Sequence, residues 1–270
     1  MPELPEVETT RRGLHPHVVD QCIDALDVRD TRLRWPVTVH NERDLRGSRI
    51  LSLERRGKYL LLETDPGYLL MHLGMSGSLR YLTEIIAPGK HDHYDIRLES
   101  GALLRYNDPR RFGSLQFTTD PLSHPLLAAL GPEPLGEEFT GRYLWQKSRG
   151  RRASIKTFIM DGHVVVGVGN IYANEALYRA GIHPTRPAGR ISLERYERLV
   201  IDIRAVLEEA IRSGGTTLRD FVGGDGRPGY FQQSLSVYER EGQPCERSGH
   251  PIRRKVIGQR ATYYCPVCQR

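Results

Sequence analysis

The chain opens Met1-Pro2-Glu3, and removal of the first methionine would leave Pro2 with a free secondary amine. A free α-amino group titrates at about 7.7–8.0, so a sizeable neutral fraction exists near pH 7. A secondary amine that attacks a sugar C1′ forms an iminium, which is cationic without an added proton. That electron sink acidifies the C2′ proton, and the 3′-phosphate can then leave by elimination. Glu3 is the neighbouring group able to protonate the opened sugar oxygen. Taken alone, an N-terminal proline is usually inert. A second chemical cluster lies at the other end. Cys245, Cys265 and Cys268 crowd into the last 26 residues, a metal-binding rather than a disulfide arrangement, whereas Cys22 stands apart and reads as a small buried hydrophobe. Between them, the run GVGNIY at 167–172 puts glycines and Asn170 just before a helix, where exposed amides bind anions.

These groups need elements to position them. Residues 5–14 predict a short helix, with Pro5 and two glutamates in its first turn and Arg11, Arg12 and Gly13 closing it. Short apolar runs at 50–53, 59–62, 68–73, 96–98, 102–106 and 114–117, punctuated by Gly or Asp-Pro, predict an antiparallel sandwich or barrel. A Pro/Gly-rich stretch at 124–138 reads as a hinge. Helical periodicity follows at about 139–149, 153–160, 170–180 and 193–212. The chain has 270 residues, 39% of them hydrophobic and 27% charged, an ordinary globular mixture. Its 39 basic against 33 acidic residues give +6, a weak lean towards a polyanion, but the clusters say more. They are Arg55-Arg56-Lys58, Arg110-Arg111, the run KSRGRRASIK at 147–156, and Arg253-Arg254-Lys255. No apolar run approaches 18 residues, and the polar, acidic start does not read as a signal peptide.

Several longer strings are specific: PELPEVETTRRGL at the start, HLGMSGSLR at 72–80, YNDPRRFG at 106–113, VVGVGNIYANEALYRAGIHP at 165–184, GGTTLRDF at 214–221, DGRPGYF at 225–231 and the tail ending YYCPVCQR. Together they resemble the formamidopyrimidine-DNA glycosylases over essentially the whole chain. The resemblance implies an α+β multidomain fold: an N-terminal antiparallel β-sandwich with an N-terminal helix (1–131), a helix–two-turns–helix DNA-binding domain (132–235) and a C-terminal zinc-ribbon-like β-hairpin (236–270). It turns Pro2 from an inert residue into the nucleophile, with Glu3 beside it. Lys58, otherwise a sheet-edge solubiliser, becomes a cation assisting β-elimination. His72, His91, Arg111, Arg151 and Asn170 become DNA contacts.

An enzyme acting on a base must extrude it, and unstacking costs a few kcal/mol. By resemblance Met75 fills the gap, Arg110 reads the estranged cytosine and Phe112 wedges beside it. In the Gly-dense loop at 216–230, Thr216, Thr217, Gly226 and Tyr230 close over the flipped base. Arg260, at the hairpin turn, holds the phosphate next to the lesion and assists δ-elimination.

The tail departs from the family pattern of two C-x2-C pairs. The second pair, Cys265 and Cys268, is intact, but Ser248 follows Cys245 where a cysteine belongs. Three readings stay open: His250 completes a Cys3His site, three thiolates and a water hold zinc more weakly, or the hairpin folds without metal. The implied activity is a bifunctional glycosylase and abasic-site lyase of base excision repair. It would act as a monomer on double-stranded DNA bearing oxidised purines or abasic sites, in the bacterial cytoplasm at the nucleoid, with at most one structural Zn²⁺. The alternatives are an endonuclease VIII-like enzyme for oxidised pyrimidines and a non-catalytic DNA-binding protein.

Overall fold

A computed structural model describes residues 2–39, 45–84, 86–214 and 235–270. The residues assigned above to the lesion loop, Thr216, Thr217, Gly226 and Tyr230, lie outside these. The chain forms two compact units, one running to Ala128 and one running from Ala129 to Arg212 and on to the C-terminus.

The first unit begins with helix α1, Leu4–Val18, capped by Glu3 with Pro5 in its first turn. It runs four residues beyond the predicted end and carries Pro16 inside. An interior proline costs about 3 kcal/mol. Burying Leu14 and Val18, one turn apart on the core face, offsets this at about 1.5–3 kcal/mol each. Eight strands follow: β1 (Ile23–Val28), β2 (Ile50–Arg56), β3 (Tyr59–Thr64), β4 (Gly67–His72), β5 (Ser78–Leu82), β6 (Asp92–Leu98), β7 (Leu103–Asn107) and β8 (Ser114–Thr118). They make two four-stranded antiparallel sheets, ordered β1-β6-β7-β5 and β2-β3-β4-β8. One apolar core draws on both sheets and on Val7, Leu14 and Val18 of α1. This is the predicted sandwich.

Its register explains one feature of the site. The β4–β5 connection leaves the second sheet and enters the first, and the β7–β8 connection makes the return crossing. Because His72 pairs with Ser114 and Ser78 with Asn107, the two crossings run side by side. The sheets thus bring the Met75 loop against the Arg110–Phe112 loop.

The second unit holds α2 (Gly141–Ser148), α3 (Ile155–Ile159), α4 (Asn170–Arg179) and α5 (Leu193–Arg212), close to the predicted ranges. Thr140 and Ser154 cap α2 and α3 by accepting the Tyr143 and Thr157 amides, each at 3.1 Å. α5 buries one stripe, including Leu199, Ile203, Val206 and Ala210, and packs on α2 and α4. Strands β9 (Arg253–Ile257) and β10 (Arg260–Tyr264) form a hairpin against α4. Its two turn residues, Gly258 and Gln259, both have positive φ, the backbone of a tight two-residue hairpin. Among the described residues no helix is long and apolar enough to cross a membrane.

Candidate active site and metal centre

Glu3 is buried and caps α1: its carboxylate takes the Glu6 amide, while its own N–H donates to Glu6 Oε2 at 2.8 Å. Further along α1, Glu8 collects three guanidinium groups: Arg11 at 2.9 Å, Arg12 at 2.8 Å and Arg55 at 3.2 Å. Burial alone would raise this carboxyl, but the hydrogen bonds and charges of the arginines outweigh it and hold it at about 2. Arg55 also donates to the Gly57 carbonyl at 3.0 Å, in the turn that presents Lys58. The helix that follows Pro2 and Glu3 and the turn that carries Lys58 are therefore fixed to one node. Sequence reasoning saw Arg55 only as part of a basic run.

The crossing loops meet at a second node, Asp108, which is fully buried. Its carboxylate accepts Ser76 Oγ at 2.8 Å from the Met75 loop. It also accepts the Tyr106 hydroxyl at 3.0 Å and the Arg110 and Gly113 amides at 3.1 and 3.0 Å. The loops touch so closely that a Cβ on Gly74 would meet the Phe112 carbonyl carbon and the Gly113 nitrogen at 2.5 Å. One on Gly113 would strike the Tyr106 hydroxyl. Met75 is half-buried, and the Arg110 guanidinium lies over the exposed Phe112 ring at 4.8 Å. Arg111, expected as a DNA contact, is paired with Asp30 at 3.0 Å and has a φ of 57°. His91 contributes its carbonyl to the Asp108 amide at 2.9 Å.

His72 ends β4. Burial, then the charges of Lys58 and Arg34, push its imidazole down to about 4. Its Nδ1 accepts the Gly74 amide at 3.0 Å, so the proton sits on Nε2 and the ring is a neutral donor at pH 7. The unfolded chain would take up this proton near 6.5 and the fold only near 4, so stability is lost as pH falls through that window. We expect this group to remove up to about 3 kcal/mol between pH 6.5 and 4. His72→Gln should flatten the stability–pH curve there, measured by chemical denaturation; an unchanged slope would refute the assignment.

In the second unit, Arg260 is exposed and opens β10. The residue after it is pinned from two helices: Lys156 Nζ and Asn170 Nδ2 each donate to the Ala261 carbonyl at 3.0 Å. Lys156 also reaches Thr262 Oγ1 at 2.7 Å, and Asn174 Oδ1 accepts the Tyr263 amide at 2.8 Å. Lys156, read from the basic run as part of a DNA footprint, is buried and holds the hairpin. Arg151 is exposed and lines a cavity of about 310 Å³ together with Thr157, Asp161 and Arg260. Glu175 was missed altogether. It is buried on α4 and accepts the Ser236, Val237 and Tyr238 amides at 2.8–3.0 Å, although burial raises its pKa. No local pattern marks a carboxylate whose partners lie sixty residues away.

The thiols of Cys245, Cys265 and Cys268 gather within 4.8 Å of one another, and all are free. Tetrahedral zinc with Zn–S of about 2.3 Å spaces two sulfurs by about 3.8 Å. Cys245 and Cys268 stand 3.8 Å apart, so the cysteines fit the ion. His250 does not join them: it is exposed, and its Nδ1 lies 3.1 Å from the Ser248 carbonyl oxygen. Gly249, at φ +71°, turns the chain between them.

Three family models match in succession: the formamidopyrimidine-DNA glycosylase N-terminal domain over residues 1–115, its H2TH domain over 130–222, and a zinc finger found in FPG and IleRS over 242–270. A formamidopyrimidine-DNA glycosylase of Pseudomonas putida is 58% identical over 270 residues, and one of Methylococcus capsulatus 59% over 271, with 100% of each chain covered. The crystal structure of the MutM (Fpg) protein of Thermus thermophilus aligns with a TM-score of 0.89 at 42% identity, covering 99% of this chain and 98% of that one. A Lactococcus lactis FPG mutant in complex with Fapy-dG-containing DNA aligns at 0.92 and 33%, covering 99% of both. The zinc-finger match and the thiol cluster together identify a structural zinc site.

Proposed function

Since this chain belongs to the formamidopyrimidine-DNA glycosylase family, we propose that it excises oxidised purines such as 8-oxoguanine and formamidopyrimidines from duplex DNA and then cleaves the abasic strand. The observation that carries the reading is the Glu8–Arg55 node, which fixes the start of α1 and the Lys58 turn to one support. With Met1 removed, the Pro2 nitrogen attacks C1′; the base leaves with the glycosidic electron pair and takes up a proton. Glu3 protonates the ring oxygen as the sugar opens to the iminium. Loss of a C2′ proton then expels the 3′-phosphate, with Lys58 as the nearby cation, and a second elimination expels the 5′-phosphate, assisted by Arg260. Met75, Arg110 and Phe112 occupy the space left by the flipped nucleotide. His72, His91, Arg111, Arg151 and Asn170 serve the backbone, Arg111 after exchanging Asp30 for phosphate. The division at 131/132 and 235/236 assigns these tasks to sandwich, helical and hairpin domains. The zinc, held by Cys245, Cys265 and Cys268, keeps the hairpin folded. The enzyme works in the bacterial cytoplasm, at the nucleoid.

Competing duplexes test the substrate class. Cleavage of 8-oxoguanine·C should exceed that of thymine glycol; the reverse preference would move the chain to the endonuclease VIII-like reading. Binding should weaken linearly in log–log against salt, because each phosphate contact releases counterions.

A further inference from the structure

The zinc site has three thiolates, and zinc in structural sites takes four ligands. The geometry points to Ser248 Oγ as the fourth ligand, giving a Cys3Ser centre. Three observations carry this. Ser248 Oγ lies 3.3 Å from Cys265 Sγ. An oxygen at about 2.0 Å and a sulfur at about 2.3 Å from one tetrahedral ion stand about 3.5 Å apart, so the hydroxyl sits where a ligand belongs. The loop is built to put it there: the Cys245 amide donates to the His250 carbonyl at 2.8 Å and the Gly249 amide to the Cys245 carbonyl at 2.7 Å. These bonds curl residues 245–250 so that Ser248 faces the thiols and His250 faces outward. The remaining surroundings favour thiolates. The Tyr178 hydroxyl stands 3.2 Å from Cys245 Sγ, and the Arg247 guanidinium lies over the Tyr178 ring at 4.5 Å.

With a hydroxyl as fourth ligand, the ion and three thiolates carry one net negative charge, where four thiolates would carry two. The site should release metal to chelators more readily than a four-cysteine site, since a neutral oxygen donor is harder and weaker than a thiolate.

The test uses the full-length chain loaded with Co²⁺ or Zn²⁺. Wild type should show thiolate-to-cobalt charge-transfer absorption for three Co–S bonds and the visible bands of a four-coordinate ion. Ser248→Cys should raise the charge-transfer intensity by about a third and tighten zinc in a chelator competition. Ser248→Ala should shift the visible bands and weaken zinc by about tenfold. His250→Ala should match wild type in both. The assignment is overturned if Ser248→Ala keeps the wild-type spectrum and affinity, if His250→Ala alters either, if Ser248→Cys adds no fourth thiolate, or if wild type takes up no metal. Trapping at Pro2 is read separately, so failure here and failure of the proposed activity are distinguishable.

Discussion

Incubated with 8-oxoguanine duplex and borohydride, the Met1-processed enzyme should yield one covalent protein–DNA adduct joined at residue 2, and Pro2→Gly, left with a less nucleophilic primary amine, should yield far less. Borohydride reduces an iminium to a stable amine, so the adduct reports the bond between Pro2 and C1′. Base excision, which needs the stronger nucleophile, should fall more in Pro2→Gly than cleavage of a preformed abasic site, whose aldehyde also condenses with a primary amine. The structure adds a control. Pro2 precedes the helix, and α1 is held by Glu3, Glu8 and its apolar face, so Pro2→Gly should keep the wild-type melting temperature. An adduct mapped by peptide mass to any residue other than residue 2 would end the Pro2 mechanism. Absence of any adduct with processed wild type would favour the non-catalytic DNA-binding reading.

The second large effect is expected at Asp108. This buried carboxylate ties together the loops that carry Met75, Arg110 and Phe112, so under the proposed function it is a positioning residue. Asp108→Ala removes the acceptor of four hydrogen bonds in a buried place, leaving donors at a cost of about 1–3 kcal/mol each. Asp108→Asn keeps the shape and part of the acceptor capacity, and guards against a variant that does not fold. Misplacing catalytic groups by about 1 Å costs on the order of 10²-fold, and excision of 8-oxoguanine should fall by about that much in Asp108→Ala and by less in Asp108→Asn. Abasic DNA offers no base to extrude, so its cleavage should fall much less. Equal losses on both duplexes, tracking melting temperature, would reduce Asp108 to a stability residue.

The sequence carried the elements well where a local pattern governs them. The strands at 59–64 and 114–118 and the helix 193–212 announce themselves through apolar periodicity, and Gly258-Gln259 through turn chemistry. It carried the thiol cluster, because the spacing of Cys245, Cys265 and Cys268 along the chain is itself the signal and the three meet within 4.8 Å. It did not carry the supports. Asp108, Lys156 and Glu175 act through partners brought near by tertiary structure: Ser76, the Ala261 carbonyl, and the amides of 236–238. Lys156 misled for the same reason. A basic run gives the charge of a lysine but not its direction, and burial against β10 decides that. α1 outran its predicted end because burial of Leu14 and Val18 outweighs the signals of Gly13 and Pro16.

The contact at Gly74 and Gly113 has a consequence for how such enzymes diverge. Where backbone meets backbone with no room for a methyl group, the roots of both loops are closed to substitution, while half-buried Met75 and exposed Phe112 at the tips carry no such constraint on exchange. Drift in this region should therefore be sorted by position along each loop. Under the role proposed for these tips, new residues there would retune which helical step is pried apart, and the sandwich need not refold to accommodate them. An engineer seeking altered damage preference would vary the tips in libraries and leave the glycine–aspartate frame untouched.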